Sequence, residues 1–139
     1  MFGGGYGLVA NDAEAAKWFR KAADQGHARA QASLARKYFY GLGVPKDIDE
    51  ANKWGWRAAE NGDVESQDAL GLQYAIGNPF PKDLVESAKW YRRSANQGSA
   101  VGQLRLGDYY FDGLGGLPQD YKEAAKWYRL VAHRGPTRK

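Results

Sequence analysis

Residues 28–63 read ARAQASLARKYFYGLGVPKDIDEANKWGWRAAENGD, and the pattern of this stretch returns along the chain. Its Trp54 has counterparts at Trp18, Trp90 and Trp127, spaced by 36, 36 and 37 residues. Lys17, Lys53, Lys89 and Lys126 stand directly before the four tryptophans, and Gly26, Gly62, Gly98 and Gly135 follow eight residues after them. Asn11, Asp47, Asp83 and Asp120 precede them by seven. Leu34, Leu70 and Leu106 recur at 36, as do Tyr38, Tyr74 and Tyr110. The extra residue falls between Gly113 and Pro118, where Gly-Leu-Gly-Gly-Leu-Pro replaces the shorter Gly41-Leu-Gly-Val-Pro45. A fixed period of this length is the mark of a stacked-repeat architecture.

Each unit reads as two helices. Ala28, Gln31, Leu34, Ala35 and Tyr38 share one face at helical spacing, which predicts a first helix, A, over about 28–40. Gly41 to Pro45 is a loop, because glycine and proline punctuate helices. A second helix, B, is predicted over about 48–61, with Asp47 as its N-cap and Glu50 completing a capping-box pattern. The same [Asn/Asp]-x-x-Glu stands at Asn11/Glu14, Asp83/Glu86 and Asp120/Glu123. Gly26, Gly62, Gly98 and Gly135 occupy the place of a left-handed residue just past a helix. No alternating apolar pattern argues for strands. The expected fold is all-α: a right-handed α-solenoid of antiparallel helix pairs, about 36 residues per repeat.

As a domain, 1–139 divides into a partial repeat of loop and helix B at 5–27, repeats at 28–63, 64–99 and 100–135, and a basic tail at 136–139. Gly5 to Asn11 matches the loop Gly41 to Asp47, so the chain opens inside a repeat. Neither end carries an obvious polar capping helix. The expectation is a truncated array, or ends that pack on something. Gly3 to Gly5 is expected to be disordered or a weakly held loop.

The composition is that of a folded chain: 43% hydrophobic, 26% charged, formal net charge +4 over 139 residues. Bulk disorder is excluded by this balance. Absence of cysteine excludes a disulfide scaffold, a thiolate metal site and a cysteine nucleophile. No apolar run is long enough for a membrane span. Met1 to Val9 does not read as a signal peptide, so the expected location is cytoplasmic, or periplasmic or secreted if an export signal has been removed.

The repeated string Ala-x-Ala-Gln-x-x-Leu-[Ala/Gly]-x-x-Tyr-x-x-Gly-x-Gly-Val-x-x-Asp, continued by Lys-Trp-x-x-x-Ala-Ala-x-x-Gly, resembles the Sel-one-like repeat. That family is related to the tetratricopeptide repeat, with a longer loop between its helices. The resemblance covers about Gly5 to Gly135, and the period of 36 rather than 34 favours it. It implies a tetratricopeptide-like superhelix and a function in binding other proteins, as adaptors and scaffolds do. A cysteine-rich exported subgroup has been linked to β-lactam binding, but this chain has neither cysteine nor Ser-x-x-Lys. Two departures stand out. Pro79 replaces a loop glycine, and Gly55 replaces the aromatic expected after Trp54, with Trp56 one position later.

Candidate chemistry is sparse. His27 and His133 lie near helix ends in different repeats without an acidic cluster, which reads as two surface histidines. There is no His-Glu-x-x-His, phosphate loop or Gly-x-Ser-x-Gly. The tryptophans and the tyrosines at 38, 74 and 110 recur in each unit, which reads as packing between helices. Phe39, Tyr40, Trp56, Phe80 and Phe111 break the repeat and are better functional candidates, with packing favoured for Phe80. Basic residues gather on helix B at Lys17, Arg20, Lys21, Lys53, Arg57, Lys89, Arg92, Arg93, Lys126 and Arg129. Glu14, Glu50, Glu86 and Glu123 stand three residues before the lysines, so this stripe reads as a solvated, locally neutralised face rather than a nucleic-acid surface.

In tetratricopeptide-like solenoids helix A lines the concave groove. The resemblance therefore places partner contacts on the A-helix positions turned away from Leu34 and Tyr38 and their equivalents. These are Arg29, Arg36, Phe39 and Tyr40; Glu65, Asp68, Leu72 and Ile76; and Leu104, Asp108, Phe111 and Asp112. They vary between repeats while the core positions do not. The expected function is a non-catalytic scaffold or adaptor holding a peptide or protein segment, with an apolar centre and charges that set its direction. Alternatives are a regulatory or immunity-type inhibitor of one enzyme or toxin, a hydrolase of the β-lactam-binding type, and end-to-end self-association. No cofactor, metal or nucleic-acid partner is expected.

Overall fold

A computed structural model of the chain describes residues 4–134. Among them are seven α-helices and no strand: α1 (Gly4–Asp24), α2 (Ala28–Tyr40), α3 (Ile48–Glu60), α4 (Val64–Ile76), α5 (Leu84–Asn96), α6 (Ala100–Asp112) and α7 (Tyr121–Arg134). The fold is an all-α helical-repeat solenoid, with α2, α4 and α6 as the A helices and α3, α5 and α7 as the B helices that follow them. The chain divides into two compact units, Met1–Ser66 and Gln67–Lys139.

The helix ends follow from side chains named above. Asp47 accepts from the Glu50 amide at 3.1 Å, Asp83 from those of Val85 and Glu86, and Asp120 from that of Glu123. Each carboxylate thereby satisfies amides that the helix itself leaves unpaired, a contribution of about 1 kcal/mol. The second half of the capping box does not form at Asp47. Its amide donates to the Tyr38 carbonyl, and Glu50 instead accepts from the Trp54 indole N–H at 3.1 Å and pairs with Lys53. Gly26, Gly62 and Gly98 have φ of 89°, 104° and 95°, the left-handed turn that ends α1, α3 and α5.

The first turn of the chain departs from expectation. α1 runs unbroken through Gly5 to Asn11, where a loop and an N-cap were expected. The reason is visible in the register. The proline two residues before each capping aspartate, Pro45, Pro81 or Pro118, is replaced here by Val9. Without proline, nothing removes an amide or forces the preceding residue out of helical geometry. The expectations for Gly3, Gly135 and the tail 136–139 lie outside the described residues.

In the first unit, Ala23 of α1, Ala30 and Leu34 of α2 and Trp54 of α3 form the core, with Phe19, Ala35 and Tyr38 packed against it. In the second unit the same positions return as Ala95, Leu106 and Trp127, beside a second cluster of Ala88, Tyr91 and Tyr109. Leu34 and Leu106 are completely buried, each contributing about 2 kcal/mol by removal from water. Buried glutamines tie each A helix to its neighbours. Gln31 donates to the Ala23 carbonyl and accepts from Asn61; Gln103 donates to the Ala95 carbonyl, and Gln67 accepts from Gln97.

The tryptophans at 54, 90 and 127 are core residues, as their recurrence implies. Trp18 is not: 60% of it is exposed, against 4% of Trp54. Trp54 and Trp127 are covered by an A-helix leucine and a B-helix alanine from earlier in the chain.

Candidate functional site

The site is best built from what the repeat does not consume. In the first unit, α2 turns Leu34 and Tyr38 inward and leaves Arg29, Arg36, Phe39 and Tyr40 exposed. The Phe39 and Tyr40 rings meet edge-to-face at 4.9 Å. The Arg29 guanidinium lies 3.4 Å from Asp63 and 4.0 Å from Glu65, so two of the residues expected on the A faces, Arg29 and Glu65, share one ionic cluster. Asp63, which is buried, also caps α4 by accepting from the amide and hydroxyl of Ser66.

In the second unit, Leu72 and Ile76 of α4 and Leu104 and Phe111 of α6 are exposed. Phe111 packs against Tyr121 at 4.9 Å, and Gln119 bridges the pair by donating to the Phe111 carbonyl and the Tyr121 hydroxyl. Asp68 and Asp108 are drawn into the structure instead. Asp68 accepts from the Ser99 hydroxyl at 2.7 Å. Asp108 accepts from the Tyr128 hydroxyl at 2.5 Å and lies 3.6 Å from Arg105. Asp112 stays exposed beside Phe111.

The aromatic after each tryptophan shapes these faces. Tyr91 of α5 lies over Gly71 of α4, and Tyr128 of α7 over Gly107 of α6. A Cβ at Gly71 or Gly107 would stand 2.6 or 2.7 Å from the ring, so only glycine admits the tyrosine. Burial pushes the Tyr91 hydroxyl up to about 12, with Tyr109 adding to it. Desolvation and then the hydrogen bond to Asp108 push Tyr128 up to about 12 as well. Both stay protonated at neutral pH, and Tyr128 donates to Asp108.

Much of the basic stripe makes contacts within the fold. Lys53, Lys89 and Lys126 pair with Glu50, Glu86 and Glu123 at 3.1, 3.5 and 3.1 Å. The Arg57 and Arg93 guanidinium groups stack over Trp54 and Trp90 at 4.8 and 4.7 Å. Arg20 and Arg92 donate to the hydroxyls of Tyr38 and Tyr110, each eighteen residues further on. The residue eighteen before Tyr74 is Trp56, and Tyr74 stacks on Phe80 at 4.7 Å instead. Phe80 is thus a packing residue, as its weighing against function suggested.

Sequence reasoning missed three features. The buried glutamines stood in the repeated string without a role, although their spacing of 36 marked them. The Arg–Tyr pairs were legible only as two separate series. Tyr121 recurs nowhere and gave no signal before its contact with Phe111 was seen. His27 occupies the N-cap position of α2 without a side-chain bond and is exposed. Among the described residues, no three His, Asp or Glu side chains gather as a metal site, and no helix is long and apolar enough to cross a membrane.

The family model of the Sel1 repeat matches residues 1–27, 28–63, 64–99 and 100–136, four times across the chain. This chain belongs to the Sel1 repeat family. Sel1 repeat proteins are generally scaffolds for protein interactions, and the family is typically non-catalytic. The chain is 39% identical to a Sel1 repeat protein from Oxalobacter formigenes, with a TM-score of 0.80 over 84% of this chain and 87% of that one. It is 40% identical to c5321, a protective antigen of uropathogenic Escherichia coli with the same repeat fold, at a TM-score of 0.78. That match covers 91% of this chain and 27% of the antigen, so the Sel1 repeats here span about a quarter of its length. No curated protein matches the chain.

Proposed function

We propose that this chain is a non-catalytic adaptor whose A helices hold a peptide or protein segment. The observation that carries the reading is the contrast within each A helix. The leucines at 34, 70 and 106 and the glutamines at 31, 67 and 103, shared by all three A helices, are buried, while the variable positions leave large apolar side chains in water: Tyr40 and Ile76 are 62% and 61% exposed. Neighbouring exposed apolar side chains, such as Phe39 with Tyr40, are what interaction surfaces present. The partner face of the second unit is apolar at Leu72, Ile76, Leu104 and Phe111, with Asp112 at its edge. The face of the first unit is aromatic and basic, at Phe39, Tyr40 and Arg36. Different chemistry on a common scaffold suits selection of one partner over others.

The test is affinity capture with quantitative mass spectrometry, using the chain beside Leu72→Asp/Ile76→Asp and Arg36→Glu/Tyr40→Ala variants. All substituted positions are exposed, so circular dichroism is expected to show unchanged helix content. A protein retained by the parent chain and reduced at least about tenfold by either variant supports the reading, the loss that one or two interface anchors carry. Equal recovery by all three baits removes the A-helix faces from the binding site.

A further inference from the structure

Asn61–Gly62 is the one Asn-Gly pair in the chain. It closes α3, with Asn61 at φ −90°, ψ 11° and Gly62 at φ 104°. At the same place the neighbouring repeats carry Gln25–Gly26 and Gln97–Gly98. The difference of one methylene decides the chemistry. An asparagine side-chain carbonyl lies within reach of the next residue's backbone nitrogen, and glycine leaves that nitrogen unscreened by a side chain. Glutamine would have to close a larger ring, which forms less readily.

The reaction needs only water. The Gly62 amide nitrogen gives its proton to solvent and bonds to the Asn61 side-chain carbonyl carbon. The bond from that carbon to the side-chain nitrogen breaks, and ammonia leaves with a proton from solvent. Water then opens the cyclic imide on either side. Opening at the side-chain carbon gives aspartate. Opening at the backbone carbonyl gives isoaspartate, with the chain now running through the side chain and one methylene longer.

Two sets of bonds hold this reaction back in the folded chain. The Gly62 amide donates to the Ala59 carbonyl at 3.1 Å and the Asp63 amide to the Ala58 carbonyl at 2.9 Å, which fixes the turn. The Asn61 side-chain nitrogen donates to Gln31 Oε1 at 2.9 Å. The other end of Gln31 sets the sense of that bond, because its nitrogen donates to the Ala23 carbonyl. Gln31 is 3% exposed, so it turns a buried oxygen to Asn61 and requires a donor there. A carboxylate at 61 has no hydrogen to give, and two acceptors would face each other. It would also put negative charge at the C-terminal end of α3, against the helix dipole and two residues from the buried Asp63.

We propose that Asn61 is a site of spontaneous deamidation, reached when the turn after α3 opens, and that its conversion releases the end of α3 from Gln31 of α2. It is a one-way modification, independent of what the A helices bind. Gln97, which donates to Gln67 at 3.0 Å, is the resistant form of the same joint.

The experiment ages the full chain in buffer beside a peptide of residues 57–66, RAAENGDVES, and follows position 61 by proteolytic mapping with mass spectrometry. Aspartate and isoaspartate are expected at 61 in both, about ten- to a hundredfold more slowly in the folded chain, because only the open turn reacts. Urea sufficient to unfold the chain brings its rate to that of the peptide. Urea midpoints read the consequence. Asn61→Asp lowers the folded-to-unfolded ratio about tenfold, as loss of a donor to a buried acceptor does. Asn61→Gln, which can donate as Gln97 does, keeps the midpoint near that of the parent chain and does not convert. Conversion as fast in the folded chain as in the peptide overturns the proposal, and so does no conversion over several hundred half-lives of the peptide. An Asn61→Asp midpoint equal to that of the parent, or one lowered no more than that of Asn61→Gln, overturns the release of α3.

Discussion

The α2–α3 pair of the first unit and the α6–α7 pair of the second are built on one pattern and packed in two ways. In α6–α7 a large residue meets the smallest one: the Tyr128 ring lies where a Gly107 Cβ would be, 2.7 Å from its nearest atom. Tyr91 and Gly71 repeat the arrangement between α5 and α4. In α2–α3 both partners change at once. Gly55 stands where the tyrosine should be, and Ala35 where the glycine should be. A Cβ built at Gly55 would stand 3.9 Å from that of Ala35, an ordinary contact with room to spare. The first unit thus lacks the ring contact that the second unit makes twice, and its alanine is admitted because no ring lies over it. The exchange shows why a departure at one position says little until its partner is found.

The strongest way to break the comparison is to give the second unit the packing of the first. Tyr91→Gly removes a buried ring and adds a mid-helix glycine, with an expected loss of about 3–5 kcal/mol in urea unfolding. The informative step is the second substitution. Gly71→Ala alone drives a Cβ to 2.6 Å from the Tyr91 ring and destabilises by about 1–3 kcal/mol. In the Tyr91→Gly background that Cβ enters vacated space, so the same change becomes neutral or stabilising. A double-mutant cycle reads this reversal of sign as a coupling energy. Additive losses would mean that the two positions do not form the matched pair described here.

The tyrosines also give the second unit a pH dependence that the Gly55 site lacks. Tyr91 and Tyr128 are both raised to about 12 from the ordinary value near 10. Between these values the folded chain keeps protons that the unfolded chain gives up. The stabilisation is therefore complete below about pH 10 and falls as pH rises through about 12. For Tyr91, whose shift is led by burial, the rise from about 10 to about 12 corresponds to a loss of up to about 3 kcal/mol. Urea midpoints measured from about pH 9 to 11.5 are expected to decline, and Tyr91→Phe to flatten the decline. An equally steep decline in Tyr91→Phe would move the effect to other groups.

How far the sequence reached depends on whether a feature recurs. The tryptophan, lysine and glycine series announced the helix pairs, and Asp47, Asp83 and Asp120 their starts, because each feature is local and appears several times. Features carried by pairs far apart in sequence were harder to see. Arg20 with Tyr38 and Arg92 with Tyr110 are visible as pairs only once two helices are laid together. Gly5–Asn11 resembles the later loops in its glycines, and the one residue that sets it apart is Val9 in place of proline. Among the A-helix residues, the exposed apolar ones were legible because they vary where the core does not. For Asp68 and Asp108, periodicity places a residue on a face but does not reveal its bonds to the Ser99 and Tyr128 hydroxyls.

The smallest predicted effect tests the exchange from the other side. Gly55 lies inside α3, where glycine costs about 1 kcal/mol relative to alanine through backbone entropy. Its Cβ has a clear site, so Gly55→Ala is expected to stabilise the chain by about 0.5–1 kcal/mol in urea unfolding. Gly107 is helical too, and the same substitution there meets the Tyr128 ring and destabilises. Helix propensity alone predicts a gain at both positions, and ring packing predicts opposite signs. Opposite signs would locate the stability of the second unit in the tyrosine–glycine contact, and a gain at both would show that the contact is loose enough to give way.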